Sequence, residues 1–156
     1  MKKVVLALAL LAVTGCGSHW PTVRIASGAA ISYPPGWRLI RGDPGTATAV
    51  LLHGHRFVGY LNLTPRQGEE TVANWRTFRP EHNVEEGDRD VRTLPTKSPR
   101  GTCVRDAYTT ATGTRYIELA CLVPGRHPSV VVGAAPPSNW SAISPLLKRA
   151  IASVQT

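Results

Sequence analysis

Ile31-Ser32-Tyr33-Pro34-Pro35-Gly36-Trp37 is the stretch on which the fold reading turns. Pro34 and Pro35 fix φ and remove two backbone donors, so no helix can run through them. Gly36 supplies the freedom for a turn, and Trp37 can then swing a large apolar face onto a core. Immediately before this corner, Ala30-Ile31-Ser32-Tyr33 reads as extended chain. Ser27-Gly28 marks a turn, and Val23-Arg24-Ile25 an earlier short strand. The domain is therefore expected to open with β-structure that stops at a rigid corner.

Downstream, Thr46 to Leu52 is rich in β-formers and His53-Gly54-His55-Arg56 reads as a hairpin turn. The returning strand is Phe57 to Thr64, which alternates Phe57, Gly59, Leu61 and Leu63 against Val58, Tyr60 and Asn62. Glu69 to Arg79 reads as a helix, with acids in its first turn, Val72, Trp75 and Phe78 on one side, and Pro80 as its stop. Glu81 to Asp90 is acidic and is expected to be a solvated loop, followed by a short strand, Val91 to Leu94. Ser129 to Ala134 has the unbroken apolar character of a buried strand. The last element is a helix: Ser138 or Asn139 can cap it, and Trp140, Ile143, Leu147, Ile151 and Val154 recur at three- and four-residue steps. Pro145 falls at a first-turn position or a kink.

Thr102 to Thr110 and Arg115 to Val123 form two strands around Ala111-Thr112-Gly113-Thr114. A three-residue loop centred on Thr112 sets Cys103 opposite Cys121, within reach of a disulfide. The same register stacks Tyr108 on Tyr116 and faces Asp106 with Glu118. That last pairing is unfavourable unless a basic residue lies between the two carboxylates.

The strand ending in Tyr33-Pro34, then Gly36-Trp37, resembles the opening of the PsbP-like fold, and the order of elements from Val23 to Val154 fits it as well. That superfamily includes photosystem II extrinsic proteins, Ran-binding nuclear import factors and many actinobacterial lipoproteins. The resemblance implies an α+β sandwich, an antiparallel β-sheet flanked by two helices. No functional residue of the photosystem or Ran-binding branches finds a match here, so those activities do not transfer. The actinobacterial lipoproteins are the nearest in character.

The N-terminus carries its own signal. Lys2 and Lys3 precede an apolar run, Val4 to Val13, too short to span a bilayer, which needs about 20 residues. Leu11-Ala12-Val13-Thr14-Gly15-Cys16 resembles the bacterial lipobox. The resemblance implies that residues 1–15 are a lipoprotein signal peptide, cut before Cys16, whose thiol carries a diacylglycerol. Two acyl chains anchor stably where one is marginal. An ordinary secretory leader beside a coincidental cysteine is the competing reading. Residues 16–22 would be a short lipid-anchored tether, with Trp20 at the membrane interface, and residues 23–156 a single domain. The expected location is the extracytoplasmic face of the cell membrane.

With Cys16 acylated, Cys103 and Cys121 remain as an even pair, which fits a disulfide in an oxidising compartment. The chain has 156 residues and a formal charge of +8. Without Lys2 and Lys3 its 18 basic residues become 16 against 10 acidic ones, a net of +6. The arginines are dispersed along the chain with no basic run, which argues against nucleic acid. A basic domain at a membrane is instead drawn to anionic lipid or wall polymers.

Candidate chemistry is sparse. His53 and His55 flank Gly54 and are candidate metal ligands only if a strand puts them on one face; in a turn they face water. Glu85, Glu86, Asp88 and Asp90 lack EF-hand spacing. His127 and Ser129 sit close without an orienting acid, and the hydrolase and metalloprotease signatures are missing. Trp37, Trp75 and Trp140 fall where core residues fall. No catalytic residue and no cofactor is assigned. The sequence thus points to a membrane-anchored, non-catalytic binding or accessory module for an envelope protein, lipid or wall polymer. A ligand carrier or enzyme is the alternative, and convergence of His53, His55 and His127 in one pocket would favour it.

Overall fold

The computed structural model describes residues 19–156. A two-stranded hairpin, β1 (Thr22–Arg24) and β2 (Ala30–Ser32), precedes a seven-stranded sheet. The sheet holds β3 (Arg38–Ile40), β4 (Ala47–His53), β5 (Arg56–Pro65), β6 (Arg89–Leu94), β7 (Thr102–Thr109), β8 (Arg115–Val123) and β9 (Ser129–Ala135) in the spatial order β3-β4-β5-β9-β8-β7-β6. All its pairings are antiparallel. Helix α1 (Trp75–Glu85) lies on one face and α2 (Trp140–Ala152) on the other, an α+β arrangement.

The main core lies under α2. Ile143, Leu147, Ala150 and Ile151 of the helix, with Val154 just beyond it, pack on Leu61, Leu63, Leu119, Cys121 and Val131. Strand glycines let α2 come close. A Cβ on Gly133 would lie 2.7 Å from Leu147 Cδ2, and one on Gly59 would lie 3.2 Å from Ile143 Cγ2. The hairpin β1–β2 closes the same core with Ile25, Ala29 and Ile31, and Trp37 joins it after the Tyr33-Pro34-Pro35-Gly36 corner. Gly36 takes φ 83° there, a conformation that excludes most side chains.

The β7–β8 hairpin has the expected register: Cys103 faces Cys121, Tyr108 faces Tyr116 and Asp106 faces Glu118. Cys103 and Cys121 are bonded, closing a loop of 18 residues, which contributes about 3 kcal/mol by the loop-entropy argument.

Several local expectations change. Pro80 does not stop α1 but lies inside it. The donor it lacks would have served the carbonyl of Arg76, on the helix's exposed side where water can replace it. The helix starts at Trp75 rather than Glu69, and in the turn before it the Thr71 hydroxyl accepts from Asn74 N (3.1 Å) while Asn74 Oδ1 accepts from Thr71 N (2.6 Å), a reciprocal pair that fixes the approach. The first turn accordingly holds no acid, and Val72 is exposed. The acidic stretch from Glu81 to Asp90 is not one loop: its first half is helix, since α1 runs to Glu85, and after a short turn its last two residues open β6 at Arg89. β3 is an edge strand with no burial alternation. Asn139 stands at the N-cap position of α2 but its amide donates to Val58 O (3.4 Å) instead of capping. Trp20 is not a membrane-facing tether residue: it is 8% exposed, in the core, with the Arg149 guanidinium 4.3 Å from its ring centroid.

Candidate functional site

Successive pairings carry one straight row across the sheet: Arg38, Val50, Tyr60, Ala134, Glu118, Asp106 and Thr93. Residues opposite one another in a ladder share a face, so this row lies on the α1 side. It places two carboxylates side by side in the interior, Asp106 and Glu118, both 0% exposed.

α1 supplies a basic residue, but it pairs with Glu118 alone and does not reach Asp106. Arg79 Nε donates to Glu118 Oε1 (2.7 Å) and its Nη2 to Oε2 (2.9 Å). Asn83 Nδ2 adds a bond to Oε1 (3.2 Å), and the Tyr108 hydroxyl one to Oε2 (3.2 Å). A carboxylate has about four acceptor sites, so these bonds fill Glu118 and leave none for a hydrogen bond from a ligand. Burial alone would push the Arg79 guanidinium's pKa down, but the adjacent Glu118 carboxylate outweighs it and holds that pKa above its ordinary value. The phenols of Tyr108 and Tyr60 are pushed far up, first by burial and then by the charge of Glu118.

Asp106 is served less well. Its Oδ1 accepts from Thr93 Oγ1 (2.8 Å), while Oδ2 is buried without a partner. Burial raises its carboxyl above the usual range, the Thr93 bond partly offsets this, and Glu118 adds to the rise.

The same side of α1 forms the wall of a groove. Trp75, Phe78 and His82 stack in succession, with ring centroids 6.1 Å and 5.8 Å apart. The Trp75 indole donates to Ala120 O (3.1 Å), which pins the start of the helix to β8. A helix is about 10–12 Å across and strands lie about 4.8 Å apart, so α1 covers only part of a seven-stranded sheet. It lies over β6 to β8 and leaves the β5 side open. There Asn62 and Thr64 of β5, Val130 and Val132 of β9, the Phe78–Arg79–His82 wall and the loop carrying Glu69 and Glu70 enclose about 430 Å³. Arg79, 15% exposed at its side chain, has two of its nitrogens engaged with Glu118, which sets the orientation of its guanidinium at the groove. The arrangement offers a fixed cation, an aromatic wall and amide and hydroxyl groups on the floor: binding chemistry with a locked carboxylate behind it.

The sequence-level candidates lie elsewhere. His53 ends β4 and His55 lies in the β4–β5 turn, both exposed, on either side of Gly54 at φ 61°. His127 packs by its ring against Gly28, in the loop after β8. Among the described residues no group of three or more His, Cys, Asp or Glu side chains converges as a metal site. Ser129 Oγ donates to the main-chain carbonyl of His127 (2.8 Å), not to its ring. Glu85 and Glu86 approach the ring nitrogens of His82 at 4.0 and 3.7 Å. Cys16 lies outside the described residues. The Arg79–Glu118 pair was missed because its members are 39 residues apart in sequence, though Trp75, Arg79 and Asn83 at four-residue steps do mark one helix face.

Sheet, helices and groove together define an α+β sandwich of the PsbP-like fold. The solution structure of cyanobacterial PsbP (CyanoP) from Synechocystis sp. PCC 6803 is similar to this chain with a TM-score of 0.57 and 12% identity, over 94% of this chain and 98% of that one. A crystal structure from Bacteroides thetaiotaomicron VPI-5482 is similar at TM-score 0.47 and 11% identity, over 82% of this chain and 44% of that one, so this chain spans less than half its length. No protein-family profile and no curated protein sequence matches. Among the described residues no helix is long and apolar enough to cross a membrane.

Proposed function

We propose that this chain is a membrane-anchored envelope lipoprotein whose PsbP-like domain is a non-catalytic binding or accessory module. The observation that carries the binding role is the groove beside α1, where Arg79 is held by Glu118 rather than left mobile. A cation locked in place loses little freedom when a partner arrives, so its hydrogen bonds are realised at low entropic cost. The anchor rests on Lys2, Lys3 and the lipobox-like Leu11 to Cys16. The actinobacterial lipoproteins remain the nearest in character. A ligand carrier is the second reading, favoured by a groove volume of about 430 Å³, inside the usual range for small-molecule sites.

The test is crosslinking of the lipidated protein on intact cells, comparing the wild type with Thr64→Arg, which fills the groove floor. One dominant partner that Thr64→Arg loses supports the module; a partner set unchanged by that variant sinks the groove as the binding face. Cys16→Ser is expected to move the protein from the membrane to the soluble fraction with its melting temperature unchanged. Retention in the membrane would mean the anchor is something other than Cys16.

A further inference from the structure

The opposite corner of the sheet carries a concentration of positive charge. On the α2 side, α2 and the β1–β2 hairpin cover β9 and neighbouring parts of the sheet, and leave a second groove open over β6, β7 and β8. In the ladder, Arg89 faces Thr109, which faces Arg115; Arg92 faces Ala107, which faces Ile117; Arg105 lies between Leu94 and Leu119. Arg89, Arg92, Arg105 and Arg115 therefore share one face around Ala107. Residues three apart on a regular strand point to opposite faces. The register shift between Arg89 and Arg92, with Asp90 at φ 56°, is what turns both arginines the same way.

Among the described residues none of these arginines has a carboxylate within ion-pair distance, and the buried Arg105 Nε has no hydrogen-bond partner. Asp90 lines the groove with Arg92 and Arg115, its Oδ2 accepting from Thr109 Oγ1 at 3.5 Å, so two cations in the lining stand against one carboxylate, with Arg89 and Arg105 on the same sheet face beside them. The groove encloses about 610 Å³, with Arg92 and Arg115 at its sides and Leu94, Ala107, Ile117 and Pro137 among the residues that line it. Arg92 and Arg115 stand two strands apart and two residues along, about 12 Å, wide enough for a chain to lie between them.

We infer that this groove binds an extended anionic polymer bearing phosphate or carboxylate groups. Guanidinium groups take such oxyanions through paired N–H donors. A concave floor with a small residue at its centre suits a chain better than a flat bilayer. Docking onto a bilayer draws on exposed apolar side chains, and the large ones, Leu39, Ile40, Val72 and Val84, lie on β3 and around α1 instead. The site is separate from the α1 groove and does not depend on Cys16.

The full chain in detergent is titrated against fluorescently labelled polyphosphate, polyglutamate and uncharged dextran, and against vesicles with and without phosphatidylglycerol. Polyphosphate or polyglutamate is expected to bind and dextran not; the tighter of the two identifies the oxyanion. Arg92→Ala/Arg115→Ala should weaken binding at least tenfold, and should reduce the slope of log affinity against log salt by about 0.7 per arginine if each neutralises one charge of a flexible chain. Arg41→Ala/Arg126→Ala removes the same charge from exposed positions elsewhere and should have a much smaller effect. Ala107→Leu keeps every charge but fills the floor, and should weaken binding as well. Equal losses in the two double variants, or full binding by Ala107→Leu, would overturn the site. So would vesicle binding that depends on Arg92 and Arg115 while neither polymer binds.

Discussion

Asn74-Trp75 and Asn139-Trp140 open the two helices, and each helix carries a proline at its sixth position, Pro80 in α1 and Pro145 in α2. From that common start they pack differently. α2 lies against glycine, through Leu147 at Gly133 and Ile143 at Gly59, and buries an aliphatic stripe. α1 reaches the sheet through large and polar side chains: Trp75 to the carbonyl of Ala120, and Arg79 and Asn83 to Glu118. The aliphatic contact is broad and non-directional; the polar one is narrow and fixed in geometry. The two helices also sit over different strands, so each leaves another corner of the sheet open. Two grooves on opposite faces are the result.

The largest effect should come from breaking the polar contact. Arg79→Ala leaves the buried Glu118 carboxyl with only Asn83 and Tyr108 as partners, and is expected to cost about 3–5 kcal/mol in chemical denaturation. Replacing both members, Arg79→Met with Glu118→Leu, should recover most of that loss, because the pair's attraction roughly offsets its own desolvation. A double variant as unstable as the single one would mean that the charges do more than compensate each other. The α2 counterpart is Gly133→Ala. The new methyl would sit 2.7 Å from Leu147 Cδ2 and 3.1 Å from Cγ, in a site with no slack, and should cost about 1–3 kcal/mol. A neutral result would show that α2 can shift as a body, and the contrast between the two helices would soften.

How far each half could be read in the sequence follows from the same contrast. The stripe Ile143, Leu147, Ile151 is periodic and local, and the β7–β8 register follows from one short loop and two cysteines; both are found in the structure. The sequence even raises the question that Arg79 answers, by facing Asp106 with Glu118. It could not answer it. The reply comes from a helix that Pro80 was expected to end at Arg79, across a separation that no local period reports. Trp20 failed for a related reason: a lone aromatic in a short linker has no periodic context, and only the fold brings it under Arg149. The arginine groove is invisible for a further reason. Dispersed arginines look like solvated charge until three strands and a bulge bring them to one face.

The smallest effect concerns Asp106, the carboxylate that Arg79 does not reach. Its carboxyl is raised by burial, so the folded chain holds that proton more tightly than the unfolded one. The sign follows from linkage. Asp106 does not oppose folding below its unfolded value of about 3.9, and comes to oppose it as pH rises through the higher folded value. Asp106→Asn keeps an acceptor for Thr93 Oγ1 and removes the charge, leaving an unpartnered amide where an unpartnered carboxylate oxygen stood. A neutral buried polar group costs less than a charged one. The variant should therefore melt a few degrees above the wild type at neutral pH, and the gap should close as pH falls toward the unfolded carboxylate range. Melting curves across that range decide it. A gap independent of pH would place the strain at Asp106 in packing rather than charge, and would leave Glu118 as the one carboxylate whose ionisation the α1 face is built around.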